Sequence, residues 1–360
     1  MKKVRCIAIY LPQFHPIPEN DEWYGKGFTE WTNVTKAKSL FKGHYQPILP
    51  ADLGFYDLRL SEVRIAQAEL AKEYGIEAFC YWHYWFGNGR RILERPFQEV
   101  LESGKPDFPF CLAWANGSWT AAWYGMPHKI LLKQEYPGTE DHKQHFYTLL
   151  SAFKDERYIR VNNKPLFFIY NPRELPNAND FMRLWNELAK KEGLHGMYFV
   201  GALRGDKERL DGYDATTLLD SYDNTPEKYA FLGRIPRAII RRLLRVVRAN
   251  LLKVPRRVIE YDDFVKYLNN RKLGEKELPL IMPNFDDTAR IGLRGTVMIN
   301  PTPRKFDIMF KNALKKIDQK SPDEKIIFIE AWNEWAEGNY LEPDRKFGRQ
   351  YLDVVKNNVF

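Results

Sequence analysis

Eight runs of consecutive apolar residues, separated by segments with helical spacing, constrain this chain more than any other feature of its sequence. They are VRCIAIY (4–10), IEAFCYW (76–82), FPFCLAWA (108–115), KPLFFIY (164–170), MYFVGAL (197–203), DATTLLDSY (214–222), LPLIMPNF (278–285) and KIIFIEAW (325–332). Their hydrophobicity is continuous rather than alternating, which predicts strands buried on both faces, as in a parallel sheet covered by helices. Between them SEVRIAQAELAKEYG, RILERPFQEVLES, DHKQHFYTLLSAFKDE, NDFMRLWNELAKKEG and PRKFDIMFKNALKKIDQK have helical spacing, and RQYLDVVKNN follows the last run. The link between the fifth and sixth runs is too short for a full helix.

Eight β/α units in 360 residues predict an α/β fold, a single (β/α)8 TIM barrel with long βα loops. The competing architecture, an open doubly wound sheet, binds a nucleotide at a Gly-rich turn, and no GxGxxG or GxxxxGK[ST] pattern follows any of the runs. One catalytic domain over residues 1–360 is expected, with a basic helical insertion at about 226–257. Within it GRIPRAIIRRLLRVVRANLLKVPRRV carries nine Arg or Lys and no acid, in a chain of net charge +8. Such a segment packs an apolar face on the core, grips a phosphorylated ligand, or lies on an anionic membrane surface, where it could meet a lipid-linked glycan.

The N-terminal apolar run stops at Pro12, too short for a secretory or membrane-spanning segment. A cytoplasmic protein follows as the expectation, peripheral to the inner membrane if the basic segment binds lipid. Cys6, Cys80 and Cys111 each lie in an apolar run and read as buried free thiols. His142 and His145 are spaced i, i+3 without an acidic companion set, so no metal or other cofactor is expected.

A barrel of this kind carries its active site at the C-terminal ends of the strands. Nine of the ten tryptophans lie in or beside the segments that follow the runs, only Trp185 sitting in a helix. Indole rings offer broad, half-apolar faces to the C–H faces of sugars. The candidate substrate-binding residues are therefore His15, Trp31, His83, Trp85, Trp114, Asn116, Trp119, Asp286, Trp332, Asn333 and Trp335, around an oligo- or polysaccharide and not a nucleic acid. Glu334 and Glu337 are spaced i, i+3, which on a helical turn brings their Cβ atoms roughly 5 to 6 Å apart. Two carboxylates that close share a proton, which makes them the candidate catalytic acid/base pair. Glu342 and Asp344 read as loop residues.

YLPQFHPIPENDEWYGKGFTEWTNV, YGIEAFCYWHYWF and EAWNEWAEG resemble the WbsX-type proteins of bacterial surface-polysaccharide clusters, which are related to glycoside hydrolase family 99, the endo-α-mannosidase-like group. The resemblance runs nearly end to end. It implies a (β/α)8 barrel and retaining cleavage of α-mannosides through participation of the sugar 2-OH. In that scheme Glu334 is the base toward the 2-OH and Glu337 the general acid; Ala336 stands where the hydrolases are expected to carry His. WbsX-type proteins are also labelled glycosyltransferases, and NFDDT places Asp286 and Asp287 as a weak match to a metal-binding acidic motif. Retaining glycosidase-type chemistry, by hydrolysis or transglycosylation, is the preferred reading. A sugar-nucleotide-dependent transferase of O-antigen or capsule biosynthesis and a non-catalytic glycan-binding barrel are the alternatives.

Overall fold

The computed structural model describes residues 4–122, 125–219, 221–225 and 254–360. Eight parallel strands form the barrel: β1 (Arg5–Tyr10), β2 (Ala78–Trp85), β3 (Phe110–Trp114), β4 (Lys164–Ile169), β5 (Tyr198–Leu203), β6 (Ala215–Leu218), β7 (Leu280–Ile281) and β8 (Ile326–Ile329). Each pairs with its neighbour in chain order except β6 with β7, and β1 also pairs with β8, Cys6 lying opposite Ile327. Between β6 and β7 the ring is joined by a bridge, where Thr216 N–H donates to the Lys276 carbonyl at 3.0 Å and Leu278 N–H to the Thr216 carbonyl at 2.8 Å. The last three strands are shorter than their apolar runs. Beyond the ladder Leu219, Met282, Phe285, Ala331 and Trp332 of these runs are still buried.

The continuous apolar runs are explained by burial on both faces. Side chains of β1, β2 and β8 fill the interior, and those facing out are covered by helices α3 (Ser61–Glu73), α4 (Arg95–Ser103), α5 (Thr139–Lys154), α6 (Ala178–Lys191), α7 (Tyr261–Asn270), α9 (Pro303–Lys316) and α10 (Gln350–Val359). Trp185 of α6 is fully buried among Phe146, Phe153 and Phe167, and its indole N–H donates to the His142 carbonyl at 3.0 Å. As the short link implies, no helix stands between β5 and β6. Cys6, Cys80 and Cys111 are free and buried.

Three insertions decorate the C-terminal end. The loop after β1 holds two short helices, α1 (Pro18–Tyr24) and α2 (Glu30–Lys36); the loop after β3 forms an antiparallel hairpin from Trp119–Ala121 and Met126–Leu132; a short helix, α8 (Thr288–Ile291), follows β7. Residues 226–253, most of the expected basic helix, lie outside the described residues. Among the described residues no helix is long and apolar enough to cross a membrane.

The segment after β8 is held from beneath. Asn333 clasps the end of β1, its side-chain carbonyl accepting Leu11 N–H at 2.8 Å and its amide donating to the Leu11 carbonyl at 3.0 Å. Glu342 lies in the loop, as expected, but is buried there, and its carboxylate accepts from Tyr56 OH at 2.8 Å, Gln67 Nε2 at 2.6 Å and Trp335 Nε1 at 2.6 Å. Asp344 is buried as well, accepting from Tyr340 OH at 2.7 Å and Phe347 N–H at 2.6 Å.

Burial pushes the Glu342 carboxyl from 4.5 up to about 7, against the pull of its three donors. The folded protein thus binds this proton more tightly than the unfolded chain. The group's stabilising contribution is full below pH 4.5 and is lost as pH rises through about 7. Glu342→Gln should flatten the fall in unfolding free energy over that window, measured by denaturant titration. Glu342→Leu should cost at least about 1–3 kcal/mol by leaving buried donors unanswered.

Candidate functional site

A cleft of about 730 Å³ opens at the C-terminal end of the barrel, and Glu334 and Glu337 are on its wall. Three pairs of aromatic rings line it. Trp82 of β2 meets Tyr170 edge to face at 5.3 Å, Trp119 of the hairpin meets Tyr84 at 5.4 Å, and Tyr222 stacks on Phe285 at 4.3 Å. The Tyr170 ring is backed by the Arg204 guanidinium at 3.9 Å, which also donates to the Asn171 side chain at 3.1 Å. Such rings with polar edges suit the two-sided surface of a sugar.

The two glutamates sit where the chain leaves β8 and makes a tight turn, Trp335–Glu337, ending at Gly338 with φ 56°. That left-handed conformation favours glycine, and a Cβ there would meet Asp286 Cβ at 2.9 Å. The turn is a single 3-10 turn rather than a helix, yet it directs both carboxylates at one cation. Arg290 of α8 donates from Nη2 to Glu334 at 2.9 Å, from Nη1 to Glu337, and from Nε to Glu30 of α2 at 3.1 Å. One guanidinium thus serves three carboxylates, one with each nitrogen.

Electrostatics follow from this geometry. Burial raises the proton affinity of Glu334 and the nearby Glu30 adds to it, while Arg290 and the Trp82 indole N–H, at 3.3 Å, favour the anion. Burial also raises Glu30, with Arg290 opposing. Asp287, on the cleft wall, is pushed up to about 8, chiefly by burial and further by Glu337 and Asp286, although Thr296 N–H donates to it at 2.6 Å. It is therefore a neutral acid near pH 7. Arg290 itself is burdened by burial, but Glu30, Glu337 and Glu334 hold its proton more firmly than in water.

Of the residues expected from sequence, Glu334, Glu337 and Trp119 line the cleft. The others do not, for identifiable reasons. Trp31, Trp85, Trp114, Trp332 and Trp335 are core side chains. Trp31 donates to the Tyr56 carbonyl at 2.8 Å, Trp85 to Asp141 at 3.1 Å and Trp114 to the Trp85 carbonyl at 3.0 Å, while Trp335 stacks on Tyr340 at 4.1 Å. Large rings at strand ends fill the barrel top, so aromatic density at one rim does not by itself mark a groove. His15 is buried, and burial lowers it to about 4. His83 is bonded to His145 at 2.8 Å beneath the surface, and burial lowers it to about 3.

Asn116, Asn333 and Asp286 act on loops. Asn116 accepts Asn171 N–H at 2.7 Å and donates to the Asn171 carbonyl at 2.8 Å, placing a residue that does line the cleft. Asp286 accepts from Gln46 Nε2 at 2.7 Å, lies 2.8 Å from His44 Nε2, and accepts Thr288 N–H at 3.0 Å, which anchors the start of α8. Among the described residues no group of acids, histidines and cysteines is arranged to hold a metal.

Sequence reasoning missed Arg290, Glu30, Trp82 and Tyr170. Arg290 lies in the DDTAR segment after β7 and Glu30 in the FTEW motif after β1, both at C-terminal ends of barrel strands. Nothing in the spacing of residues 30, 290 and 334 announces that they meet. Trp82 is set apart only in the structure, as the one half-buried position of an otherwise buried strand.

The model of the family described as Glycosyltransferase WbsX matches residues 6–355. The uncharacterized protein WxcX of Xanthomonas campestris pv. campestris (strain ATCC 33913) is 35% identical over 356 residues, covering 97% of this chain and 49% of its own length. The chain thus spans about half the length of the curated relatives it matches. Among solved structures, one described as a glycoside hydrolase-like protein superposes with a TM-score of 0.62 at 14% identity, covering 100% of this chain and 94% of its own. The GH99 endo-alpha-mannosidase of Bacteroides thetaiotaomicron superposes with a TM-score of 0.57 at 14% identity, covering 98% of this chain and 96% of its own. Those two likenesses concern the fold, a (β/α)8 barrel. Family membership rests on the match across residues 6–355, and the chain belongs to the WbsX glycosyltransferase family.

Proposed function

We propose that the cleft processes an α-linked oligo- or polysaccharide, possible mannose units included, by retaining glycosidase-type chemistry with Glu334 and Glu337 as the working pair. The observation that carries this reading is the sharing of one buried guanidinium by two cleft carboxylates of unlike exposure. Glu334 is the deeper, beside Trp82; Glu337 is the more open to the cleft. Arg290 keeps the Glu334 anion available while burial raises its affinity for a proton, the combination a general base needs.

In the first step Glu334 takes the proton of the sugar 2-OH, and O2 attacks C1 to form a 1,2-anhydro sugar. The bond from C1 to the leaving oxygen breaks as Glu337 gives that oxygen its proton. In the second step Glu337 takes a proton from water or from an acceptor hydroxyl, whose oxygen attacks C1 from the opposite face. The C1–O2 bond opens and Glu334 returns the proton to O2. Two inversions give net retention, and the acceptor decides between hydrolysis and transfer. The family description as a glycosyltransferase favours a sugar acceptor, and a sugar-nucleotide donor is the competing reading. The basic segment, with 226–253 outside the described residues, would supply contact with an anionic membrane surface or a lipid-linked glycan.

Incubation with a panel of α-linked oligosaccharides, with and without sugar nucleotides, should yield products without a nucleotide when followed by mass spectrometry. Products only with a nucleotide would replace this reading with a transferase. Glu334→Gln and Glu337→Gln should each lower turnover by about 10²–10⁴-fold with glycan binding retained; full activity in both would remove them from the chemistry. Trp119→Ala should raise KM by up to about tenfold with kcat little changed, as expected for a lost stacking contact.

A further inference from the structure

We infer that Glu30, the acid of the FTEW motif, is a positioning residue that acts through Arg290 on Glu334 and Glu337. This rests on the reading of those two glutamates as the working pair and supplies what holds them in place. Glu30 has no solvent exposure and is not on the cleft wall, so it does not touch a bound glycan. A carboxylate buried so deeply is costly unless paired, and its partner is Arg290 Nε at 3.1 Å.

The guanidinium is planar and rigid, so tying Nε fixes the directions of Nη1 and Nη2 together. An arginine held by the two cleft glutamates alone would swing with them. Tied to Glu30, it becomes a fixed bracket, with Nη2 on Glu334 and Nη1 on Glu337. Glu30 is itself held by a packed element. Its N–H donates to the Gln13 carbonyl at 3.2 Å, and the adjacent Trp31 packs on Phe14 at 4.6 Å, Tyr56 at 5.0 Å and Trp335 at 5.8 Å. Trp335 lies between the two glutamates in the chain. Helix α2 therefore braces the glutamate turn twice, by a ring against Trp335 and by a carboxylate against Arg290.

The charged and titratable groups facing Glu334 are Arg290, Glu30 and Tyr84, with Glu337 across the shared guanidinium and Asp287 beside Glu337. Glu30 reaches Glu334 by two opposed routes, repelling its anion directly and orienting the cation that stabilises it. Glu30→Gln keeps the shape and an acceptor for Arg290 Nε but removes the repulsion. Titration of 13C-labelled glutamate carboxyls by NMR without ligand, with Glu334 assigned from Glu334→Gln, should show the Glu334 transition lower by about one unit in Glu30→Gln. Glu30→Ala, which removes the acceptor as well and frees Arg290, should bring the transition back up relative to Glu30→Gln; folded Glu30→Gln and Glu30→Ala proteins whose Glu334 titrates alike would overturn the inference.

Should Glu30→Gln not fold, the wild type decides. Its Glu334 signal should titrate in two steps, one of them the ionisation of Glu30, as coupled sites do; a single step overturns the assignment. In a turnover assay the acidic limb of the pH–rate profile should move with the Glu334 transition while KM stays within about twofold. Because the titrations need no substrate, they test Glu30 even if no glycan in the panel is turned over.

Discussion

The carboxylates at the mouth of this barrel are organised by a single buried cation. Arg290 joins three parts of the chain far apart in sequence: α2 from the loop after β1, α8 from the loop after β7, and the turn after β8. Burying a guanidinium in this setting is tolerable only because each of its nitrogens meets a carboxylate. The same arrangement keeps two carboxylates close together that would otherwise repel. Arg290 does not come to this place by itself. Asp286 anchors the start of α8, and its own N–H donates to the Glu337 carbonyl, so the cation and one of its partners are tied together through the backbone as well.

Beneath that cluster a second layer sets where β8 ends. The barrel ladder gives β8 its direction through pairing with β1 and β7. Just past the strand, Asn333 fastens to Leu11 and Trp332 N–H donates to the Ile9 carbonyl at 2.7 Å, so the ends of β1 and β8 are knotted by three hydrogen bonds. Glu342 then receives the loop's return, with donors from the β1 loop, α3 and Trp335 converging on it. The tryptophans of WNEW are thus the packing that gives Glu334 and Glu337 a rigid base. A site whose side chains must be held within fractions of an ångström gains more from buried rings at this point than from rings in the groove.

How much of this could be read from the sequence depends on the range of the interaction. The eight strands and most helices were legible because burial on both faces of a strand leaves a local mark, an uninterrupted apolar run. The glutamate pair was legible because its two members are three residues apart and follow the last strand. The aromatic groove was legible in kind but not in membership. Trp85, Trp114, Trp332 and Trp335 carry the same local signal as Trp82 and Trp119, and which face a ring takes at a strand end is settled by long-range packing. Glu30 and Arg290 were not legible for the same reason: their partners lie 260 residues apart, and a guanidinium in a loop reads locally as surface charge.

The relation between the two layers bears on how such a site could change its chemistry without changing its fold. Cleft-lining rings such as Trp119 and Tyr170 lie on loops after β3 and β4, apart in the fold from the elements that carry Arg290 and its three carboxylates. Asn116 and Arg204 set the Asn171 segment through hydrogen bonds of their own. One half of the cleft, from β1, β7 and β8, therefore fixes the carboxylates, and the other half, from β3 and β4, presents surface to whatever lies beside them. On the proposed reading, substitutions in the second half alter which sugar fits and leave the carboxylate half intact, whereas a change at Glu30, Asp286 or Arg290 disturbs both glutamates at once. The acidic residue of the FTEW motif and the glutamates of WNEWAEG belong to one half, and this coupling is a physical reason for the two motifs to occur in the same chain.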